Sequence, residues 1–144
     1  ETGEKTVLTS QQQAGLRLCR GKARCTICHS GSKFTDEEFH NTGVAWNGRS
    51  REQPPRDRGR FVVTGRPQDE GKFKTPTMRD IELTSPYMHD GSFKNLQEVL
   101  NFYDGGGHPN AGLDPDIRPL HLTAKEKNAL LTLLKSLTGS RSSK

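Results

Sequence analysis

The sequence lacks long apolar stretches and has few apolar residues overall. Hydrophobic residues make up 29% of its 144 residues, and aromatic residues only 6%. A typical globular domain is roughly 45–50% apolar by a count that includes glycine. No apolar run approaches the ~18 residues of a membrane-spanning helix, so the sequence predicts no membrane span. One thin core is expected in a chain of this length, and a large bound group would complete it.

Cysteine and strong charge are scarce as well. The chain has three cysteines, an odd number that excludes a full disulfide framework. The formal net charge of +5 is mild, with 17 acidic residues, and no basic run is interleaved with aromatics, so we expect no nucleic-acid partner. No signal peptide is present, so an exported protein would be represented here by its mature or trimmed form.

Three helices are predicted, and their signals argue against disorder. The first covers residues 9–23, with Thr9 or Ser10 as its cap and a sparse apolar face of Leu16, Cys19 and Ala23. Cys19 is interpreted as a small buried apolar residue of that helix.

The other two predicted helices lie in the C-terminal half. One of about ten residues follows Ser92 as its cap and ends at the glycines of residues 105–107. The last begins at Thr123, which forms a capping box with Glu126, and ends at Gly139. Its buried stripe is predicted to consist of leucines, namely Leu130, Leu131, Leu133, Leu134 and Leu137.

The segments between the helices read as loops. Residues 30–46 carry scattered aromatics, and residues 47–60 are rich in arginine and proline, which is typical of a solvated loop. Residues 60–65, "RFVVTG", predict a short strand or an extended segment. A single helical turn is predicted near residues 78–81.

The motif that carries chemistry is "RCTICHSG", residues 24–31. Cys25 and Cys28 are two residues apart, and His29 follows directly. This C-x-x-C-H pattern is typical of covalent haem c, in which each thiol adds to a vinyl group and the histidine ligates the iron. A buried haem would also replace the apolar side chains that the sequence lacks.

Two other interpretations of the motif are a structural zinc site and a thioredoxin-type redox pair. A structural zinc site needs four ligands, and it would have to combine Cys25 and Cys28 with two distant histidines. A thioredoxin-type redox pair follows a strand in a βαβ pattern, whereas here a predicted helix precedes the motif. Both are therefore less favoured than haem c.

The ligand on the other side of the iron determines the chemistry. A protein ligand there suits electron transfer, whereas an open position lets a substrate bind. Periodicity does not choose among the candidates downstream of the motif, which are Met78, Tyr87, Met88, His89, Tyr103, His108 and His121.

Three blocks of the chain resemble a known family. They are "GKARCTICHSGSKFTDEEFHNTGV", "FKTPTMRDIELTSPYMHDGSFKNLQEVLNFYDGGG" and "LDPDIRPLHLTAKEKNALLTLLKSLTG". In this order they resemble the C-terminal haem domain of the bacterial di-haem cytochrome c peroxidase and MauG family, over about residues 12–139. The resemblance implies an all-α fold, a small cytochrome c-like domain of about three main helices with long loops around a covalently bound haem. The domain would cover residues 9–139, including the loop at 47–60, with tails at residues 1–8 and 140–144.

The resemblance also implies roles for individual residues. His29 would be the proximal iron ligand and Tyr103, in "NFYDGGG", the distal one. Met88 is the alternative distal ligand and otherwise lines the haem pocket. Further implied contacts are Phe34 in the pocket, Arg79 on a haem propionate, and the backbone carbonyls of Thr84 and Pro86 on a calcium ion between domains.

The function implied is that of the six-coordinate haem domain, which relays electrons to or from a peroxide-reactive haem on an N-terminal domain or companion chain. A redox protein partner and a periplasmic location belong to the same expectation. The chain departs from the family in having one C-x-x-C-H motif, and Ala23 stands where MauG has a tryptophan that carries oxidising equivalents to its protein substrate. Two alternatives remain open: a free-standing monohaem cytochrome, and a peroxidase in its own right with a labile distal ligand.

Overall fold

The computed structural model describes residues 8–139, so the predicted tails lie, apart from Leu8, outside the described residues. Four α-helices are present there: α1 (Ser10–Arg20), α2 (Phe61–Thr64), α3 (Leu96–Asp104) and α4 (Ala124–Ser136). Two-residue strands β1 (Phe39–His40) and β2 (Phe73–Lys74) pair antiparallel, with His40 opposite Phe73. Short 3-10 turns occupy Cys25–Ile27, Val44–Trp46, Pro67–Asp69 and Ile81–Leu83. The prediction of three main helices with long loops is therefore right for the longer elements, and the small two-stranded ribbon departs from a purely α-helical fold.

The ends of α1 and α4 follow from local side-chain chemistry. Thr9 accepts a hydrogen bond from the backbone N–H of Gln12, and the Gln12 side chain accepts one from Thr9 N–H, which completes a capping box. Thr123 and Glu126 form the same arrangement at the start of α4. Both caps were predicted, although α1 ends at Arg20 and α4 at Ser136, before the predicted ends at residues 23 and 139.

Helices α1 and α4 pack directly against each other. A Cβ atom on Gly15 would lie 2.3 Å from the Ala129 carbonyl oxygen and 2.8 Å from Leu133 Cβ, so only glycine fits at this crossing. The buried core residues lie on α1, α3 and α4 and in the loops before α3 and α4. They are Cys19, Met78, Leu96, Leu100, Leu122, Leu130, Leu133 and Leu134. Of the predicted leucine stripe, Leu131 and Leu137 are only partly buried. Cys19 is 4% exposed, as expected for a small apolar residue.

Three local predictions are wrong. Residues 60–65 contain the single-turn helix α2 rather than a strand, because Gly65 at φ +65° closes the turn with its N–H on the Phe61 carbonyl. Asn95, not Ser92, caps α3 by accepting a hydrogen bond from Glu98 N–H. The turn expected near residues 78–81 lies at Ile81–Leu83.

Loop 47–60 is exposed over most of its length, as predicted, and only Pro55 is buried. Trp46, just before it, is 5% exposed and donates its indole N–H to the Gln53 carbonyl at 2.8 Å. This tryptophan therefore anchors the loop to the body of the domain. Within residues 8–139 no helix is long and apolar enough to cross a membrane.

Asp104, the last residue of α3, ties that helix to α4 and to the segment before it. Its carboxylate accepts hydrogen bonds from Leu122 N–H at 2.8 Å and from Lys127 Nζ at 2.7 Å. Burial raises the pKa of Asp104, but the hydrogen bond from Leu122 and the contact with Lys127 outweigh burial and leave it below its usual range. The ionised form is therefore the one that stabilises the fold.

We expect Asp104→Asn to lower the free energy of unfolding by about 1–2 kcal/mol at pH 7, because a charge-assisted hydrogen bond to Lys127 is weakened. A carboxylate with a lowered folded-state pKa contributes its stability above the unfolded pKa and loses it as pH falls through the folded one. The difference from the parent chain should consequently shrink below pH about 4. Urea unfolding at several pH values checks this, with Glu82→Gln, at an exposed ion pair with Lys135, as the control. Equal losses in both variants at pH 7 would contradict it.

Candidate haem site

The C-x-x-C-H motif forms one tight turn directly after α1. Arg24 adopts a left-handed conformation (φ 57°) and starts the 3-10 turn Cys25–Ile27. The N–H of His29 donates to the Cys25 carbonyl at 2.8 Å. The backbone thus brings both thiols and the imidazole of His29 onto a single turn, as the spacing predicted.

All three cysteines are free thiols. Cys19 and Cys25 adjoin each other. A hydrogen bond from Cys25 lowers the pKa of Cys19, whereas that same bond and burial raise the pKa of Cys25 well above its usual value. Burial, then the charges of Asp36, Asp114 and Asp116, raise the pKa of Cys28 to about 11. The motif cysteines are therefore protonated thiols at neutral pH.

His29 is held in a fixed orientation. Its Nδ1 lies 2.9 Å from the Phe34 carbonyl oxygen, so Nδ1 carries the proton and donates this hydrogen bond. Burial lowers the pKa of His29, and this outweighs the carbonyls of Phe34 and Pro76 and the carboxylate of Asp36. A neutral imidazole with Nδ1–H on a backbone carbonyl is the form that presents Nε2 to a metal. These donors fit haem c.

Zinc and thioredoxin-type chemistry fit less well. The described residues bring Cys28, Asp36 and His40 within 4.8 Å of one another, as a metal cluster would. Both ring nitrogens of His40 are, however, bonded to carboxylates, Nδ1 to Asp114 at 2.7 Å and Nε2 to Asp36 at 3.0 Å. His40 consequently offers no free lone pair. The element before the cysteine pair is α1 rather than a strand, which is not the context of a thioredoxin motif.

Tyr103 lies in the penultimate position of α3 with its side chain half-buried. Burial, then the electrostatic influence of Cys28 and Cys25, raises the pKa of Tyr103 to about 12, which places its phenol near the thiols of the motif. The Tyr87 hydroxyl, by contrast, donates to the Ile81 carbonyl at 3.0 Å. Tyr103 is thus the tyrosine on whose pKa the motif cysteines act.

The remaining distal candidates have other surroundings. Met78 is 5% exposed within the apolar core, and Met88 is half-buried at φ 69°. The ring of His89 stacks on Phe73 at a centroid distance of 3.5 Å. His108 meets Phe102 edge-on, and His121 is exposed. The assignment of the distal ligand stays a prediction.

Arg79 and Phe34 lie together beside the motif. Arg79 Nε donates to the Ser32 carbonyl at 2.9 Å, and its guanidinium carbon is 5.5 Å from the Phe34 ring centroid. Phe34 is packed against the core. Contact of this pair with a haem remains a prediction.

The implied calcium ligands are on the surface. Thr84 and Pro86 are both exposed, and Thr84 Oγ1 donates to the Ile81 carbonyl at 3.0 Å. The calcium site also stays a prediction.

Sequence reasoning missed a polar network next to the motif, in a segment that was interpreted only as loop. Its members are Asp36, His40 and Asp114, together with Asn41, which is fully buried and bonds to Asn110 at 2.9 Å. Asp36 and Asp114 are brought together only when the chain folds, so the spacing of residues in the sequence does not predict this network.

The comparisons with known proteins define the class of protein first. The chain is 36% identical to a solved MauG-like protein associated with microbial copper homeostasis, with a TM-score of 0.84, over 92% of this chain and 48% of that one. The di-haem peroxidase BthA from Burkholderia thailandensis has the same fold, with a TM-score of 0.70 over 95% of this chain and 44% of BthA at 21% identity. The similarity to BthA concerns the fold, whereas that to the MauG-like protein supports a redox haem role.

Relatives in sequence come from the same group of proteins. The chain is 34% identical over 159 residues to the cytochrome-c peroxidase IdrP1 of a Pseudomonas species (strain SCT), and 33% identical over 136 residues to the methylamine utilization protein MauG of Methylorubrum extorquens. Each match covers 94% of this chain, but only 42% and 36% of the relatives. No family model matches the chain. Over nearly all of its own length, the chain is homologous to bacterial cytochrome c peroxidases and MauG, and it spans less than half of these relatives.

Proposed function

We propose that the chain is a haem c electron-transfer domain equivalent to the C-terminal, six-coordinate half of a di-haem cytochrome c peroxidase or MauG-like oxidoreductase. It carries one haem, and it relays electrons to or from a peroxide-reactive haem on another domain or chain. A bound haem supplies a centre that changes by one electron. The observation that carries the proposal is the orientation of His29, whose Nδ1–H is fixed on the Phe34 carbonyl beside two free thiols.

Each residue has a defined task in this proposal. Cys25 and Cys28 hold the porphyrin through thioethers, so that it does not dissociate. His29 is the proximal ligand, and Phe34 helps to hold its ring by accepting the Nδ1–H bond. Tyr103 is the distal ligand, which leaves no open position for peroxide and suits electron transfer.

The choice of Tyr103 is supported by its hydroxyl and by its helix. Among the described residues this hydroxyl has no hydrogen-bond partner, whereas that of Tyr87 is used by Ile81. Asp104, the next residue, is anchored on both Leu122 and Lys127. The helix end that carries Tyr103 is therefore held in place, as a distal ligand requires.

The surroundings of the motif also bear on its partners. Lys22 and Arg24, two basic residues beside the motif, are paired with Glu126 and Asp116. Those two charges are therefore largely compensated within the domain. Because haem c is attached outside the bacterial cytoplasm, a periplasmic location is part of the proposal.

A visible spectrum of the oxidised protein, with and without peroxide, tests the function. A low-spin six-coordinate spectrum that peroxide leaves unchanged is expected from a relay domain. A high-spin spectrum that changes with peroxide would instead indicate a peroxidase in its own right. Mass analysis of the purified native protein then separates a subunit that copurifies with a second haem chain from a free-standing carrier.

The distal ligand is tested by Tyr103→Phe. We expect the ferric spectrum to change and the midpoint potential to rise, since an anionic phenolate favours ferric iron. Tyr87→Phe is the matched control, because it removes the same hydroxyl from the tyrosine that bonds to Ile81, and its spectrum should equal that of the parent. An unchanged spectrum in Tyr103→Phe rules this ligand out, and a change in Met88→Leu would then assign the position to methionine.

A further inference from the structure

His40 is held between two carboxylates at the edge of the C-x-x-C-H turn, residues 25–29, which is called the haem-binding turn below. Its Nδ1 lies 2.7 Å from Asp114 Oδ2, and its Nε2 lies 3.0 Å from Asp36 Oδ2. The three side chains are only 19–22% exposed. This arrangement is a built feature of the interior rather than a chance pairing on the surface.

The geometry determines the charge of His40. An ionised carboxylate only accepts hydrogen bonds, so both ring nitrogens must donate, and a histidine that donates from both is the imidazolium cation. Burial alone would lower the pKa of His40, but the hydrogen bonds that its ring donates to Asp114 and Asp36 outweigh burial and raise the pKa. The group of three therefore carries one positive and two negative charges.

The same group grips the haem-binding turn at both ends. Asp36 donates its backbone N–H to the Cys28 carbonyl at 2.8 Å. At the other end, Asp116 N–H donates to Asp114 Oδ1 at 3.0 Å, and the Asp116 carboxylate pairs with Arg24, directly before Cys25. The ligand atoms of His40, Asp36 and Cys28 lie within 4.8 Å of one another.

Few other charges face this group. Lys72, which precedes β2, acts electrostatically on Asp114. His40 and Asp36 in turn act on the ring of His29. The imidazolium of His40 thus offsets one of the two negative charges that Asp36 and Asp114 carry beside Cys28.

We propose that His40 is a positioning residue that holds the haem-binding turn through Asp36 and Asp114, and that its charge sets the reduction potential of the haem attached at Cys28. The inference rests on the function proposed above. Reduction adds an electron to the haem, so a nearby positive charge favours the reduced form. Without the imidazolium, the net negative charge beside Cys28 is larger and favours the oxidised form.

The test is potentiometry of the haem-loaded full chain. His40→Gln keeps a polar side chain but removes the cation, and we expect a lower midpoint potential with an unchanged axial-ligand spectrum. In His40→Gln combined with Asp114→Asn, one negative charge is removed as well, so the potential should return toward that of the parent. Lys135→Gln is the control, because it removes one positive charge from an exposed ion pair with Glu82 and should leave the potential unchanged.

The outcomes separate this inference from the function on which it rests. A parent chain without attached haem refutes both. A haem-loaded His40→Gln chain with an unchanged potential, or a double variant as low as the single one, refutes only the role of His40. Should His40→Gln fail to fold, Asp114→Asn alone decides the matter: a raised potential supports the charge balance, and an unchanged one overturns it.

Discussion

Replacement of Cys25 and Cys28 together by alanine should abolish covalent haem attachment. The two thiols lie on the one turn that carries His29, and they are the only groups of the motif that can form thioethers. Any haem retained by His29 alone would be lost on denaturation. Intact mass under denaturing conditions should therefore equal that of the bare polypeptide in the double variant.

The third cysteine provides the matched control. Cys19 is also a free thiol, and it adjoins Cys25, but it is 4% exposed within the core on α1. Cys19→Ala should keep the haem, at a cost in stability typical of a small core truncation. If haem stays attached in the double variant, or is lost in Cys19→Ala, then Cys25 and Cys28 are not the residues that attach it.

Gly15→Val should strongly destabilise the domain. Even the Cβ atom of the new side chain would lie 2.3 Å from the Ala129 carbonyl oxygen, which belongs to the backbone of α4 and cannot rotate away. Helices α1 and α4 must then separate, at a cost of about 3 kcal/mol. Since the C-x-x-C-H turn, where we propose that haem attaches, follows α1 directly, we also expect a smaller yield of haem-loaded protein.

Gln11→Val controls for the helix propensity of valine. Gln11 is an exposed position of the same helix, so this change introduces the same β-branched residue without the clash, and it should cost only about 0.5 kcal/mol. Urea unfolding of both variants measures the difference. Equal free energies of unfolding would show that the close approach of α1 and α4 does not determine stability.

The parts of the fold that were predicted correctly depend on local chemistry. Thr9 and Thr123 cap their helices through contacts three residues away, and such signals are contained in a few consecutive letters. The C-x-x-C-H turn belongs to the same kind, because its spacing alone places two thiols and an imidazole on one turn.

The wrong predictions occurred where distant segments decide the local structure. Phe93 and Tyr87 form a β-bridge in which the Tyr87 N–H donates to the Phe93 carbonyl at 2.7 Å. This bridge keeps the chain extended after Ser92, so that α3 begins only at its cap, Asn95. The β-branched residues of 60–65 favour a strand, yet Arg60 N–H is taken by the Lys72 carbonyl, and the chain turns into α2. Neither partner is adjacent in sequence.

The candidate site shows the same division. The motif residues were evident from their spacing, whereas the hydrogen bond of His40 to Asp114 joins residues that are 74 positions apart. A histidine in a loop carries no sign of two carboxylate partners until the fold brings them together. The electrostatic surroundings of the motif were consequently not predictable from the sequence.

The central claim is that the chain binds one haem covalently through its C-x-x-C-H turn. Intact-mass spectrometry of the purified, denatured parent chain tests it most directly. The account predicts a single species heavier than the polypeptide by one haem, with the added mass located on the peptide that contains Cys25 and Cys28. A colourless protein with the mass of the bare polypeptide, prepared in cells competent for haem attachment, would contradict it.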